Sequence, residues 1–249
     1  MGIKKDRHTI FSLDIEAFYP SVTYGLVERA ITFFSSSLSE KEKRTIKVCL
    51  EMIAFGMGNT LLTFVDKYYE YDGERDIKDK GLTIGGYESA WLADLVAAFV
   101  LENTNELFEE AVYDGIYRDD GLVIMEGAKS NKEIGEWLTL FQEKVNLVTG
   151  YKGLVFTVSI WRDKENNDAN HPKAEIVKSS HFPFLDMKMS WSEEGELRFG
   201  VYLKPGQQLK YLNCDSSHPP HCFRAITTGA FGRLPSSTSP TEDSRYKSL

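Results

Sequence analysis

Apolar positions recur along this chain with two different spacings, and the changes of spacing mark out its elements. Over residues 21–34, Tyr24, Val27, Ile31 and Phe34 fall three or four apart, the spacing of one helix face. Pro20, just ahead, is suited to the first turn of that helix. Ser39 followed by Glu42 makes a capping box and predicts a second helix, continued by Ile46, Leu50 and Ile53. Residues 66–71 read as a strand closed by the Asp72-Gly73 turn, and 89–103 as a strongly apolar helix. Residues 112–125 place aromatic and β-branched side chains on both sides of a polar centre ending in Gly121, which predicts a β-hairpin around a glycine turn. A helix over 131–148 presents Ile134, Trp137, Leu138, Phe141 and Val145 on one face. A strand at 154–161, a polar loop at 162–170, and strands at 185–191 and 197–203 joined by the Glu194-Gly195 turn complete the pattern. This order suits an α+β fold built on an antiparallel sheet packed on helices. No internal repeat interrupts it. After Arg233 the composition shifts to Ser, Thr and Pro, so residues 234–249 are expected to be disordered.

Composition narrows the class only in part. The chain has 249 residues, enough for one large domain or two small ones, and 42% hydrophobic residues suffice for a core. No run of about eighteen apolar residues is present, which argues against a transmembrane helix. The first residues lack the apolar stretch of a signal peptide. Three widely spaced cysteines point to a reducing, intracellular compartment, nuclear or cytoplasmic. The net charge of −8 sits awkwardly with nucleic-acid binding, which draws on Lys and Arg, and requires either a local basic face or further segments that supply one.

The candidate chemistry lies in two acidic strand ends. In a regular strand adjacent side chains point to opposite faces, so Asp119 and Asp120 can converge on one site only where the chain reverses. Like charges so placed raise at least one pKa unless a cation neutralises them. Mg²⁺ suits such hard oxygen ligands and leaves room for substrate phosphates. Asp-Gly is also a common turn dipeptide, and Asp-Asp-Gly alone is more often a solvated loop than a metal site. The second acidic end changes that weighting. Ile10, Phe11 and Leu13 run straight into Asp14, and an aromatic, Tyr19, follows five residues later.

Taken together, Asp14, the run Tyr117-Arg118-Asp119-Asp120 and the segment from Gly85 through Ser89 to Leu95 resemble the palm of reverse transcriptases. The resemblance matches Asp14 to the first-strand metal ligand, residues 117–120 to the Tyr-x-Asp-Asp hairpin, and Gly85 with Ser89 to a Gly-x-x-x-Ser segment entering a helix. The chain departs from the family at Tyr87 and Ala90, where prolines are common, and at Ile84, where glutamine is frequent. Phe184-Leu185-Asp186-Met187, Lys204-Pro205, Tyr211-Leu212 and His218-Pro219-Pro220-His221 are similar to the segment after the palm in Penelope-like retroelements.

The resemblance implies an RNA-directed DNA polymerase with a primed RNA or DNA template and dNTPs as partners. Two Mg²⁺ ions, with Mn²⁺ as an alternative, would be bridged by Asp14 and Asp119, with Asp120 a weaker ligand and the Ile15 carbonyl supplying one oxygen. Tyr19 would exclude ribose 2′-hydroxyls, and Gly85, Gly86 and Ser89 would let template and incoming base approach the backbone. It divides the chain into an extension at 1–9, a palm with partial fingers at 10–203 (closing on the fingers side near 66–71), a thumb entrance at 204–233 and the tail at 234–249. It also implies an incomplete polymerase that binds template weakly and with strong salt dependence.

Each residue has a plainer reading. Asp14 is a possible helix N-cap, Tyr19 a possible core residue beside Phe18, and Ser89 a possible cap closing an ordinary loop. Arg118 fits either primer backbone or a solvated turn. Cys214, His218, His221 and Cys222 are zinc-ligand types, but their spacing is not a standard finger, and a rigid turn gripping the primer is the preferred reading. Asp14-Ile15-Glu16 also resembles the Asp-x-Glu strand of 3′–5′ exonucleases, although Tyr117 precedes Asp120 by three residues where that family needs four. A catalytically inert, nucleic-acid-binding retroelement remnant is the other alternative.

Overall fold

The computed structural model describes residues 2–71, 75–162, 172–202, 204, 219–222, 224 and 228. In chain order, β1 (His8–Ile15) is followed by a single helical turn, α1 (Phe18–Ser21), then α2 (Tyr24–Phe34) and α3 (Glu40–Gly58). A two-stranded unit follows, β2 (Leu61–Phe64) and β3 (Lys67–Glu70). Next come α4 (Ser89–Thr104), the hairpin β4 (Ala111–Tyr117) and β5 (Asp120–Glu126), and α5 (Asn131–Thr149). The described chain closes with β6 (Phe156–Arg162), β7 (Ala174–Lys178), β8 (His181–Phe184), β9 (Met187–Trp191) and β10 (Leu197–Val201). The main sheet has the order β4-β5-β1-β6-β7, antiparallel except between β6 and β7. The expected α+β architecture, an antiparallel sheet packed on helices, is what forms.

Strand alternation divides the core in two. Phe11, Leu13 and Ile15 of β1 join Val123 and Met125 of β5 and Phe156, Val158 and Ile160 of β6 against the helices, where Val96, Val100, Leu138 and Phe141 are buried. Ile10, Leu122 and Ile124 point the other way and meet Trp161, Phe182 and Met189, which seat the three-stranded sheet β10-β9-β8 on the opposite face. The stretch before β1 is folded onto this small sheet, since Lys5 N–H donates to the Gly195 carbonyl at 2.9 Å and Lys4 pairs with Glu196 at 3.1 Å.

Helix ends follow local chemistry. Ser39 and Glu42 form the reciprocal capping box expected for α3, and Ser130 with Glu133 forms another for α5. The first helix begins later than expected: Pro20 lies inside the isolated turn α1, Val22 breaks the helical path, and the Thr23 side chain caps α2 by accepting the Leu26 N–H. The strand expected at 66–71 is β3, but Asp66 belongs to the turn, and its partner β2 carried too short a pattern to be read. Residues 72–74 and 163–171, which hold the Asp72-Gly73 turn and most of the 162–170 loop, lie outside the described residues, as does most of the chain beyond 204.

The β2–β3 unit meets the rest of the fold at its base. Lys80, 4% exposed, donates from Nζ to the Gly58 carbonyl at 3.0 Å and pairs with Glu70 at 3.5 Å. At the far end Val65 and Asp66 both have positive φ, 47° and 58°. That is the primed turn a two-residue hairpin prefers, normally made by Asn-Gly. A β-branched residue there costs of order 1–3 kcal/mol. Lys80→Ala is expected to lower stability by about 1.5–3 kcal/mol, the scale of a hydrogen bond to a charged group. Urea unfolding followed by circular dichroism checks this, and an unchanged midpoint would show that the base is held by other contacts.

Candidate active site

The register of the main sheet brings the acidic residues together. Strands β1 and β5 pair antiparallel from His8↔Glu126 to Leu13↔Gly121, so one further step sets Asp14 opposite Asp120. Leu13 and Gly121 face the helices, which turns Asp14 and Asp120 to the other face, the side of Ile10, Leu122 and Ile124. Asp119 lies in the turn itself, because the ladder of the β4–β5 hairpin closes on Tyr117↔Asp120 and leaves Arg118 and Asp119 as its two loop residues. The reversal expected around Gly121 therefore sits two residues earlier. Arg118 has φ 60° and takes the left-handed position that a glycine usually fills. Gly121 has another purpose within β5: a Cβ there would stand 2.9 Å from Leu13 Cβ, so its absence lets the two strands close beside Asp14.

Asp14 and Asp120 each respond to the charge of Asp119. Partial desolvation at the strand end first, and then the charge of Asp119, push Asp14 above its ordinary range although the residue is exposed, against a hydrogen bond from the Ile15 backbone N–H that favours the ionised form. Asp120 is raised by burial, then by Asp119 and Asp14, while the ammonium of Lys204 acts in the opposite direction. Among the described residues no three His, Cys, Asp or Glu side chains are already drawn into a close ligand set. The donor set fits hard, oxygen-preferring divalent ions.

The remaining expected site residues fall into two groups. Tyr19 is half-buried and packs on the same core cluster as its neighbour Phe18, which is 3% exposed, so the ring takes the core position that its plainer reading expected while keeping one part open. The glycine segment is tied to the Tyr19 turn by backbone contacts. Leu82 N–H donates to the Tyr19 carbonyl at 3.0 Å, and Gly81 lies so close to Pro20 that a Cβ would stand 2.7 Å from the Pro20 carbonyl carbon. Gly85 has φ 94°, and Gly86 leaves room for the Ser89 hydroxyl. Ser89 is not the cap of α4; that position is Glu88, and Ser89 is buried in the first turn. Asp14 is not a cap either, since it lies within β1 and the residue before α1 is Ala17.

Arg118 stands 5.4 Å from the Tyr117 ring centroid, and its Nε is buried with no hydrogen-bond partner among the described residues. Lys204 beside Asp120 is the site residue that sequence reasoning passed over, having noted it only within a downstream match; no periodicity marks a lysine that arrives from a different segment. Of the zinc-type residues, Cys214 and His218 lie outside the described residues.

No protein-family model matches the chain, and no curated protein matches it in sequence. Among solved structures it is similar to an apo telomerase from Candida tropicalis truncated from its C-terminal domain, at 9% identity and a TM-score of 0.45. That likeness covers 77% of this chain and 35% of the telomerase chain. No helix among the described residues is long and apolar enough to cross a membrane.

Proposed function

We propose that the chain is the palm of an RNA-directed DNA polymerase of the Penelope-like retroelement kind, joining dNTPs to a primer 3′-hydroxyl. The observation that supports this reading is the placement of Asp14 and Asp120 at one end of an antiparallel β1–β5 pair, on the face away from the helices, with Asp119 in the adjoining turn. Asp14, Asp119 and Asp120, with the Ile15 carbonyl, would hold two Mg²⁺ ions. Such ions about 4 Å apart stabilise the attacking and leaving oxygens of an in-line displacement. The protein's own share is positional. The two-residue turn carries Asp119, the Ile15 N–H orients the Asp14 carboxylate, and the Gly81–Ser89 segment stacks its backbone on the Tyr19 turn, where an incoming nucleotide would lie.

Primer extension on a defined RNA template with Mg²⁺ or Mn²⁺, with degradation of the DNA scored in parallel, tests the reading. At low salt, short and non-processive template-dependent extension is expected. Degradation without extension would favour the exonuclease alternative, and template binding with neither would favour an inert remnant.

Sugar selection provides a second check. Tyr19→Ala trims the half-buried ring but keeps the carbonyl that receives the Leu82 N–H. Ribonucleotide use relative to deoxynucleotide use is expected to rise about tenfold, since one lost steric contact is worth 1–3 kcal/mol. Competition between the two nucleotide types on one template measures it. Equal discrimination in both proteins would place the gate elsewhere.

A further inference from the structure

We infer that the β2–β3 hairpin is a strand-separating pin, which wedges its tip into base-paired nucleic acid ahead of the carboxylate site; the inference rests on the polymerase reading above. Both faces of the hairpin are exposed along its length, from Leu61 to Glu70. Its register puts Leu62 opposite Tyr69 and Phe64 opposite Lys67, so one face presents an aliphatic side chain, two rings and a cation. A bare two-stranded hairpin is marginal in water unless something covers it.

The tip sharpens the choice of occupant. Val65 is 73% exposed and Phe64 70%. Val65 also occupies a left-handed position that Asn or Gly would fill without strain, so folding does not account for an apolar branched residue there. Apolar wedges that enter between base steps and unstack them use such side chains. Rings beside a cation are what unpaired bases and their phosphates recognise. A second copy of the chain is a poorer occupant, because four side chains per face fall short of the roughly 800 Å² per partner of a stable interface. Placement agrees with the assignment. Lys80 grips the hairpin base through Gly58 and Glu70, and the next residue, Gly81, is pressed against Pro20 in the turn that carries Tyr19. The root of the pin is thus one residue along the chain from the segment seated on the Tyr19 turn.

The test uses the 249-residue chain and a forked DNA–RNA duplex bearing 2-aminopurine at the first pair of the fork. Without nucleotides, binding is expected to raise the fluorescence as that base unstacks. The double variant Val65→Asn/Asp66→Gly keeps and relaxes the turn while removing the wedge. It is expected to lose the signal, and to extend a primer into the duplex about tenfold more slowly, the scale of one lost base stack. On an open template its extension should stay within about twofold of the parent, as a change of less than about 0.4 kcal/mol. Phe64→Ala should act in the same direction. No fluorescence rise with the parent, or an equal rise with the double variant, overturns the pin. A rise that depends on Val65 in a protein that extends no open template supports the pin and overturns the polymerase reading instead. Sedimentation showing a dimer that Phe64→Ala dissociates also overturns the pin.

Discussion

Asp119→Asn is expected to lower nucleotide incorporation by about a thousandfold while raising the melting temperature of the metal-free protein at pH 7. The activity loss follows from charge. Asn keeps the shape of Asp but cannot neutralise a divalent ion, and the several kcal/mol that such ions contribute to a phosphoryl transition state convert to a factor of that order. The stability gain follows from the same charge. In the folded chain Asp14 and Asp120 are held above the ordinary 3.8, by burial first and by Asp119 next. A carboxyl whose folded pKa is raised binds its proton more tightly folded than unfolded. Metal-free stability therefore falls as pH climbs from about 3.8 through the raised values, and the full penalty is present at pH 7. Removing the Asp119 charge relieves part of it. The two proteins should converge below about pH 3.8, where both carboxyls are protonated in either state. Adding Mg²⁺ should stabilise the parent more than the variant, because a ligand of the folded state raises stability in proportion to its affinity. Scanning calorimetry in chelator and in Mg²⁺, at pH 7 and pH 3.5, reads all three effects. Unchanged incorporation by the variant would remove Asp119 from the site.

Gly81→Ala is expected to be the most damaging single-methyl change near the site. Its Cβ would collide with Pro20 backbone atoms, the carbonyl carbon at 2.7 Å and Cα at 2.8 Å, and backbone cannot rotate away as a flexible side chain could. Overpacking of this kind costs about 1–3 kcal/mol, or roughly 2–12 °C of melting temperature in a chain of this size. Relief requires the segment to lift from the turn, which stretches the bonds from Leu82 N–H to the Tyr19 and Val22 carbonyls. Incorporation should therefore fall together with stability, and nucleotide KM should rise. A control at Gly85, where a Cβ meets nothing within 4 Å, separates crowding from backbone strain. Gly85→Ala pays only for its positive φ and leaves the Gly81 contact intact. If Gly81→Ala melts with the parent and keeps its nucleotide KM, the segment does not depend on its seat against Pro20.

What the sequence determined by itself is local. The α3 capping box needs only Ser39 and Glu42 three residues apart, and the α5 core face needs only Ile134, Leu138, Phe141 and Val145 at helical spacing. The β4–β5 hairpin was legible because both strands and their turn lie within sixteen residues. The acid types at Asp14, Asp119 and Asp120 were legible too, since a run of β-branched and aromatic residues ending in a carboxylate is conspicuous in one dimension. Tertiary structure decided what those residues face. That Asp14 stands opposite Asp120 depends on a register between segments more than a hundred residues apart, and no local pattern encodes it. The strands β2, β7 and β8 carry no turn signal or alternation of their own that stands out along the chain, and a partner strand or the Trp161–Phe182 cluster receives them. Lys204 acquires its influence on Asp120 only through the path of the chain after β10. Gly121, read along the chain as a turn residue, became the point of closest approach to Leu13 once β1 was laid beside β5. Helical spacing and caps are written in neighbouring residues, whereas pairing and burial are settled by whichever distant surfaces the folded chain brings into contact.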